Sequence, residues 1–365
     1  MMSTRKRKEN KKVFVAMSGG VDSSVAAALL KESGYDVTGV TMRLVPSFPD
    51  SPAAITDPVE EARQVSRILN IPHKIFDFTR DLRKDIIDHF TREYADGRTP
   101  NPCVRCNQYI KFGRLYEKAR SLGADYLATG HYARLQFSAK QKRYLLRKAE
   151  DKTKDQSYFL YKLRRDILPF ILFPLGGLTK VQVRGLARRW KLGTAGKAES
   201  QDICFVSDSG YKKFIEENLG PEAVLPGPFK NEKGKEIGRH KGIVHYTIGQ
   251  RDGLGLAMGY PVYVYRIDKS TNSVHVGPAE YLEAKGLWAS DYNFVSREPP
   301  KGTVPVQARI RYHSREAKAY LTCWGPDRLK VEFAKPQKSV TPGQSVVFYQ
   351  RDLLLGGAVI DEAFS

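Results

Sequence analysis

The chain has 365 residues, 41% of them hydrophobic and 27% charged, which allows more than one hydrophobic core and excludes a disulfide-stapled miniprotein. A mean hydropathy of −0.45, with no apolar run near the ~20 residues of a membrane helix, excludes a helical membrane protein. The formal net charge of +20 points to a polyanionic partner, because Lys and Arg neutralise phosphates and release their counterions; residues 141–200 alone carry fifteen Lys or Arg against five Asp or Glu.

In chain order, MMSTRKRKENKK reads as a solvated basic tail, and the VFVAM after it is shorter than the apolar core of a signal peptide. KVFVAM then reads as a strand, SSVAAALLKESGY as a helix, DVTGVTMRLV as a strand and PVEEARQVSRILN as a helix. HKIFDFT is a strand, DLRKDIIDHFTREYA and YIKFGRLYEKARSLG are helices, and DYLATG is a strand. Short apolar runs separated by helices of this length predict a doubly wound parallel sheet, an α/β fold in which ligands bind beyond the carboxyl ends of the strands. That puts MSGGVDSS, Met42 and GHYAR on one rim. After about residue 220 the helical period stops, and GPEAVLPGPFKNEKGKEIG leads into short strands such as VYVYRID, VPVQARIRY, AKAYLTCW and SVVFYQ. The expected division is a basic tail at 1–11, a catalytic α/β domain at 12–221, a small central domain at 222–287 and a C-terminal β-barrel-like domain at 288–365.

The stretch MSGGVDSS lies between the first strand and the first helix. Gly19 and Gly20 allow positive φ and close backbone approach, and the turn amides, the hydroxyls of Ser18, Ser23 and Ser24 and the helix N-terminus converge on an anion. Asp22 repels such a ligand unless it holds Mg²⁺ or caps a backbone amide, so a metal-bound nucleotide is the economical reading. The turn is neither GxxxxGK[ST] nor GxGxxG, and it contains no lysine to reach a β- or γ-phosphate.

Four cysteines, Cys103, Cys106, Cys204 and Cys323, are spaced too irregularly for a disulfide scaffold and fit a reducing cytoplasm. Cys103 and Cys106 sit in GRTPNPCVRCNQYIKF and Cys204 in ESQDICF; three zinc ligands are the competing reading, without a second CxxC or CxxxH to complete the site. Arg98, Arg105, Lys111 and Lys197 are expected to lower the thiol pKa values. SGGVDSS in this position resembles the pyrophosphate loop of the ATP pyrophosphatase superfamily, which implies adenylation of an oxygen, and such a loop with two nucleophilic thiols suggests sulfur transfer. Adenylation turns a carbonyl oxygen into a leaving group, one cysteine carries sulfur as a persulfide, and the other cleaves the S–S bond, ending in a disulfide.

The superfamily resemblance implies an adenine nucleotide alpha hydrolase-like fold. From about Lys12 to Ile360, the segments MSGGVDSSV, GRTPNPCVRCNQYIKF, GADYLATGHYAR, KDQSYFLY, SQDICF, GIVHYTIGQRDGLG and VTPGQSVVFY resemble the bacterial tRNA-specific 2-thiouridylases. The resemblance implies thiolation at C2 of a wobble uridine in certain tRNAs, with ATP and with sulfur from a cysteine desulfurase or a relay protein; Mg²⁺ is expected from the reading of Asp22. Position by position, the resemblance implies nucleotide binding by Ala16, Met17, Ser18, Gly19, Gly20, Val21, Asp22, Ser23, Met42 and Gly130. It implies contact with the target base by Asn101, Pro102 and Cys103, and with tRNA by His131, Lys154, Asp155, Gln156, Arg311, Tyr312 and Gln344. Cys106 matches the nucleophile and Cys204 the persulfide carrier. In the NPxxxCN loop this chain has Cys103 where the family often has Asp, and VPSFPDSPAAITD at 45–57 matches the family poorly.

The remaining motifs are read from the residues alone. KDQSYFLYKLRR suits stacking on splayed bases, with core packing of Tyr158, Phe159 and Tyr161 as the rival. Arg309, Arg311 and His313 recur every second residue, which on a strand gives one basic face. TIGQRDGLG is either a tRNA-binding turn or a tight hairpin. Two other functions compete with thiolation: adenylation of a different acceptor, which does not need Cys106 and Cys204, and RNA binding without catalysis, which releases no pyrophosphate.

Overall fold

A computed structural model of the chain describes residues 11–44, 58–194, 196, 203–206, 210–220 and 224–365. The basic tail before residue 11, the 45–57 stretch and Lys197 lie outside them. In chain order the first elements are β1 (Lys12–Ala16), α1 (Val21–Glu32), β2 (Asp36–Arg43), α2 (Pro58–Ile68), β3 (His73–Asp77), α3 (Thr79–Leu82), α4 (Asp88–Ala95), α5 (Pro102–Arg105) and α6 (Tyr116–Ser121). They are followed by β4 (Tyr126–Thr129), β5 (Ala133–Ser138), β6 (Arg143–Lys148), β7 (Ile171–Leu172), α7 (Lys180–Arg189) and α8 (Gly210–Leu219). The chain splits into two units, one of Met1–Arg83, Val104–Gln201 and Asp352–Leu354, the other of Lys84–Cys103, Asp202–Arg351 and Leu355–Ser365.

The first unit holds a five-stranded parallel sheet in the order β3-β2-β1-β4-β7, with Val15 of β1 paired to Gly39 on one side and Ala128 on the other. Val13 and Val15 are fully buried, as a strand covered on both faces requires, and Val25, Ala26 and Ala27 of α1 join the same core. Each such valine contributes about 1.5–3 kcal/mol relative to exposure. Two segments wind as π-helix, Arg83–Ile87 within a stretch expected as α-helix and Cys106–Leu115, which begins in the expected loop and runs into the helix expected from Tyr109, a rare geometry often found at functional sites. The β5–β6 hairpin has no counterpart in the sequence reading. Its charged, Lys-rich pattern hides a strand pair that Lys142 turns at φ 48°, and Arg134 and Arg147 both bind Asp352, at 3.1 and 2.7 Å.

The second unit packs α4 and α8 through aromatic contacts and contains the sheet β10-β11-β8-β9, formed by β8 (Gly227–Lys230), β9 (Glu236–His240), β10 (Tyr263–Asp268) and β11 (Ser273–Gly277). β12 (Glu283–Asn293), β13 (Thr303–Arg309), β14 (Ala317–Trp324), β15 (Arg328–Lys338), β16 (Ser345–Gln350) and β17 (Leu353–Phe364) form a barrel in the order β12-β15-β14-β13-β16-β17, closed by β12 pairing with β17. Closure gives each of these six strands a neighbour on both sides. The expected basic strand face is not formed. β13 ends at Arg309, so Arg311 and His313 fall in the turn beyond it, where Arg309 donates to the carbonyls of Ser314, at 3.1 Å, and of Tyr312.

Candidate nucleotide and thiol sites

β1 delivers the chain to the carboxyl rim of the sheet, and the turn to α1 is built from its own residues. The Ser18 amide donates to Ser23 Oγ at 3.2 Å, and the Ser23 and Ser24 hydroxyls donate to the Gly20 carbonyl at 3.1 and 2.9 Å. No side chain caps α1 at Gly20, so the first-turn amides of the helix point at the rim with its positive dipole end. Only one of the two glycines works as expected. Gly19 takes φ 72°, and a Cβ there would meet Glu61 Oε2 at 2.5 Å; Gly20 is extended at φ −83°. Gly130, after β4, backs the cradle, since a Cβ on it would come within 2.8 Å of the Ser23 nitrogen. Ala16, the buried Met17 and Val21, and Met42 at the end of β2 complete the rim, with the Met17 amide bonded to the Val40 carbonyl at 2.8 Å.

Asp22 does not stand alone. Lys180 Nζ lies 2.8 Å from each of its carboxylate oxygens, and the Tyr132 hydroxyl donates to Oδ1 at 2.8 Å. The lysine that the turn lacks therefore arrives 158 residues later, with its side chain only 10% exposed. α7 places it: Thr179 and Gln182 form a capping box, and the Lys180 amide donates to Asp151 Oδ2 at 3.0 Å. LTKVQ after the apolar ILF carried this signal in the sequence, as an N-cap next to a short strand. Tyr132 is positioned by Gln156, whose Oε1 accepts from the Tyr132 amide at 3.0 Å while its own amide donates back to the Tyr132 carbonyl at 2.9 Å.

Other residues of the expected tRNA set are also engaged inside the first unit. Asp155 is 4% exposed and accepts from the amides of Ala149 and Ser157 and from the Ser157 hydroxyl. His131 bonds Thr129 Oγ1 through Nδ1 at 2.7 Å between the rings of Phe112 and Phe173; burial first, then Lys111, holds its pKa well below the ordinary histidine value, so it is neutral near pH 7. Tyr158 and Tyr161 are fully buried, so the core reading holds for them and base stacking does not. Lys154 is partly exposed.

None of the four cysteines is in a disulfide. Cys106 is 7% exposed at the start of a π-helical segment, and burial raises its thiol pKa, with Lys111 opposing. This corrects the expectation of a lowered value. Arg105 lies over the Tyr109 ring and Arg98 is bound to Glu93 at 2.8 Å, and at Cys106 desolvation outweighs the opposing charge of Lys111. The next residue, Asn107, is 3% exposed and donates from Nδ2 to the Phe159 carbonyl at 3.2 Å.

In the second unit Cys103 and Cys204 are exposed, Asn101 is half-buried and Pro102 is buried. Cys204 is held through its neighbour Phe205, which is 8% exposed and packs on Phe90 and Phe214 at centroid distances of 5.4 and 5.3 Å. Gln344 donates from Nε2 to the Thr99 carbonyl at 2.9 Å. Arg311 donates to the Lys338 carbonyl at 3.4 Å, and Tyr312 packs on His313. Among the described residues no three His, Cys, Asp or Glu side chains gather as metal ligands, and no helix is long and apolar enough to cross a membrane.

Residues 11–208 match a family model described as a tRNA methyl transferase HUP domain, 212–278 a tRNA methyl transferase PRC-barrel domain, and 284–360 an aminomethyltransferase beta-barrel domain. A protein from Acetivibrio thermocellus named tRNA-specific 2-thiouridylase MnmA is 46% identical over 356 residues, which is 96% of this chain and 99% of that one. Proteins of the same name from Carboxydothermus hydrogenoformans and Moorella thermoacetica are 48% identical over 358 residues (96% and 98% of the two chains) and 47% over 356 (95% and 99%).

Proposed function

We propose, from the premise that this chain belongs to the tRNA-specific 2-thiouridylase family, that it replaces the C2 oxygen of a tRNA wobble uridine by sulfur at the expense of ATP. The observation that carries the reading is the glycine-backed cradle between β1 and α1, with Lys180 beside its one carboxylate. Methyl transfer, which the matched model's description mentions, needs neither an anion cradle of this kind nor a pair of thiols.

The cradle from Ala16 to Ser23, with Met42 and Gly130, takes the nucleotide. Its amides and helix dipole bind the pyrophosphate portion, and Lys180 adds a cation where negative charge accumulates as the leaving group departs. Asp22 bonds Lys180 and Tyr132, and among the described residues no three His, Cys, Asp or Glu side chains gather as metal ligands; Mg²⁺ enters the proposal as the counter-ion of the ATP phosphates, and no step is assigned to it.

The uracil C2 oxygen attacks the α-phosphorus and pyrophosphate leaves. The terminal sulfur of a Cys204 persulfide then attacks C2 and AMP leaves, after which the Cys106 thiolate attacks the Cys204 sulfur. That step breaks the S–S bond to the base, forms a Cys106–Cys204 disulfide and leaves C2=S. An external thiol reduces the disulfide, and an external persulfide donor, of the cysteine desulfurase or relay class, reloads Cys204. The exposure of Cys204 supports loading by another protein. Asn101, Pro102 and Cys103 are assigned to the target base, and Lys154, Arg311 and Tyr312, with the neutral edge of His131, to the RNA. Asp155 and Gln156 act from beneath, through the internal hydrogen bonds they make.

The test is mass spectrometry of tRNA nucleosides after incubation with ATP, Mg²⁺ and a persulfide donor. A uridine mass gain equal to oxygen-for-sulfur exchange, accompanied by pyrophosphate, is expected; a gain equal to a methylene group, or none, overturns the reading.

A further inference from the structure

Two glycine turns of similar sequence, Thr247-Ile248-Gly249-Gln250 and Thr341-Pro342-Gly343-Gln344, belong to different β-domains, and both face one loop of the second unit. That loop, Asp96 to Pro100, runs from the end of α4 to Asn101. Its Thr99 amide donates to the Pro342 carbonyl at 2.8 Å, and Gln344 Nε2 donates to the Thr99 carbonyl at 2.9 Å and the Pro100 carbonyl at 3.4 Å. Gly343 is obligatory at this contact: its φ is 89°, and a Cβ would stand 2.9 Å from the Thr99 nitrogen. From the central domain, the Thr99 and Thr247 hydroxyls bond at 3.3 Å, Ile267 fills the space a Cβ on Gly97 would need, and Lys269 pairs with Asp96. Arg98 donates to the Ile360 carbonyl at 3.2 Å and approaches Asp361 at 3.9 Å. Gly249 is fixed in turn, with φ 90° and its amide on the Val264 carbonyl at 2.7 Å.

We infer that the two turns form a clamp that sets the backbone of the 96–100 loop, and that Gln344 and Thr247 are positioning residues for Asn101-Pro102-Cys103. The amides of Asp96, Gly97 and Arg98 bond the last turn of α4, so the clamp bears chiefly on Thr99 and Pro100, next to the target-base residues, where an error of about 1 Å in placing a reacting group costs about 100-fold in rate. Backbone carbonyls held by a half-buried donor from a closed barrel resist that displacement, because breaking each contact strands a polar group. The consequence for base placement rests on the thiolation reading; the clamp itself does not.

Gln344→Met keeps the length of the side chain, removes both donors and adds no charge, and Thr247→Val removes the hydroxyl at constant shape. Each variant is examined as the full chain in two ways. Hydrogen exchange without tRNA or ATP reads the Thr99 amide, which is expected to lose about tenfold in protection in Gln344→Met, against unchanged amides in the β12–β15 pair. Thiolation kinetics are expected to show kcat down by about 10- to 100-fold, with tRNA affinity within about twofold of the unaltered chain. Unchanged exchange at Thr99 overturns the clamp, and so does a loss carried by tRNA affinity with kcat intact, which would make Gln344 an RNA contact. If Gln344→Met does not fold, Thr247→Val with the same two measurements decides. If the unaltered chain thiolates nothing yet Thr99 loosens in both variants, the functional reading falls and the clamp stands.

Discussion

The nucleotide cradle and the loop before Cys103 are both short stretches of irregular backbone, and they are held by opposite means. In the cradle the turn itself is tied locally, with Ser23 and Ser24 bonded to the Gly20 carbonyl and Gly19 making the turn, while Gly130 and Lys180 back it from later in the chain. The 96–100 loop has contacts mostly from residues about 150 to 260 positions later, on two β-domains. The difference follows from what each must present. An anion is bound by backbone amides, so its site is necessarily local in sequence and free of bulky side chains. A loop that places a base needs its own atoms exposed, so its rigidity has to come from elsewhere in the chain. Changes in the first region should therefore register in nucleotide kinetics, and changes in the second in the rate of sulfur delivery.

The largest effect separates the two directly. Cys106→Ser and Cys204→Ser are expected to abolish thiouridine formation, a loss of at least about 10³-fold, because an alkoxide neither carries nor cleaves a persulfide. tRNA-dependent pyrophosphate release should survive for a first turnover, since the cradle contains no thiol. A chase assay that finds both products lost together would show that the regions do not act separately. Next in size is Lys180→Met, which removes the cation from the cradle and leaves Asp22 facing the phosphates. A fall of about 10²–10³-fold in the ATP-dependent step is expected, read as kcat/KM for ATP, with Cys204 persulfide loading unchanged. An equal fall in persulfide loading would place the damage in the fold instead of the cradle.

Much of the architecture was legible because its signals are local. The parallel sheet followed from apolar runs such as VFVA alternating with amphipathic helices, and the closed barrel from short strands after residue 220. MSGGVDSS announced its cradle because glycine and hydroxyl chemistry within eight residues is enough to build one. What stayed hidden depends on tertiary approach. Lys180 looked like one of many cations in a basic segment, and only α7 beside α1 brings it to Asp22. Cys106 looked activated from its neighbours in sequence, yet burial, which no spacing reveals, dominates its titration. Arg311 and His313 kept strand period past the point where the strand ends. Gln344, expected at the RNA through the resemblance, donates to the Thr99 carbonyl of the 96–100 loop, a contact that no spacing reveals.

The raised titration of Cys106 gives the smallest and most graded prediction. A buried thiol whose pKa lies above the ordinary value is mostly protonated at neutral pH, so the thiolate that attacks the Cys204 sulfur is a minor species there. Single-turnover transfer from preloaded persulfide should then rise with pH by about tenfold per unit through the neutral range, and level off only above the usual thiol region. Pyrophosphate release, which uses the cradle and a histidine-free set of donors, should change far less over the same interval. Lys111→Met removes the one cation that opposes burial at Cys106, so it should move the transfer limb to still higher pH and leave the pyrophosphate profile in place. A transfer rate that is flat with pH would mean that tRNA binding deprotonates Cys106 before the attack, or that the exposed Cys103 supplies the thiolate; repeating the profile in Cys103→Ser tells these two apart, because only the second loses the reaction.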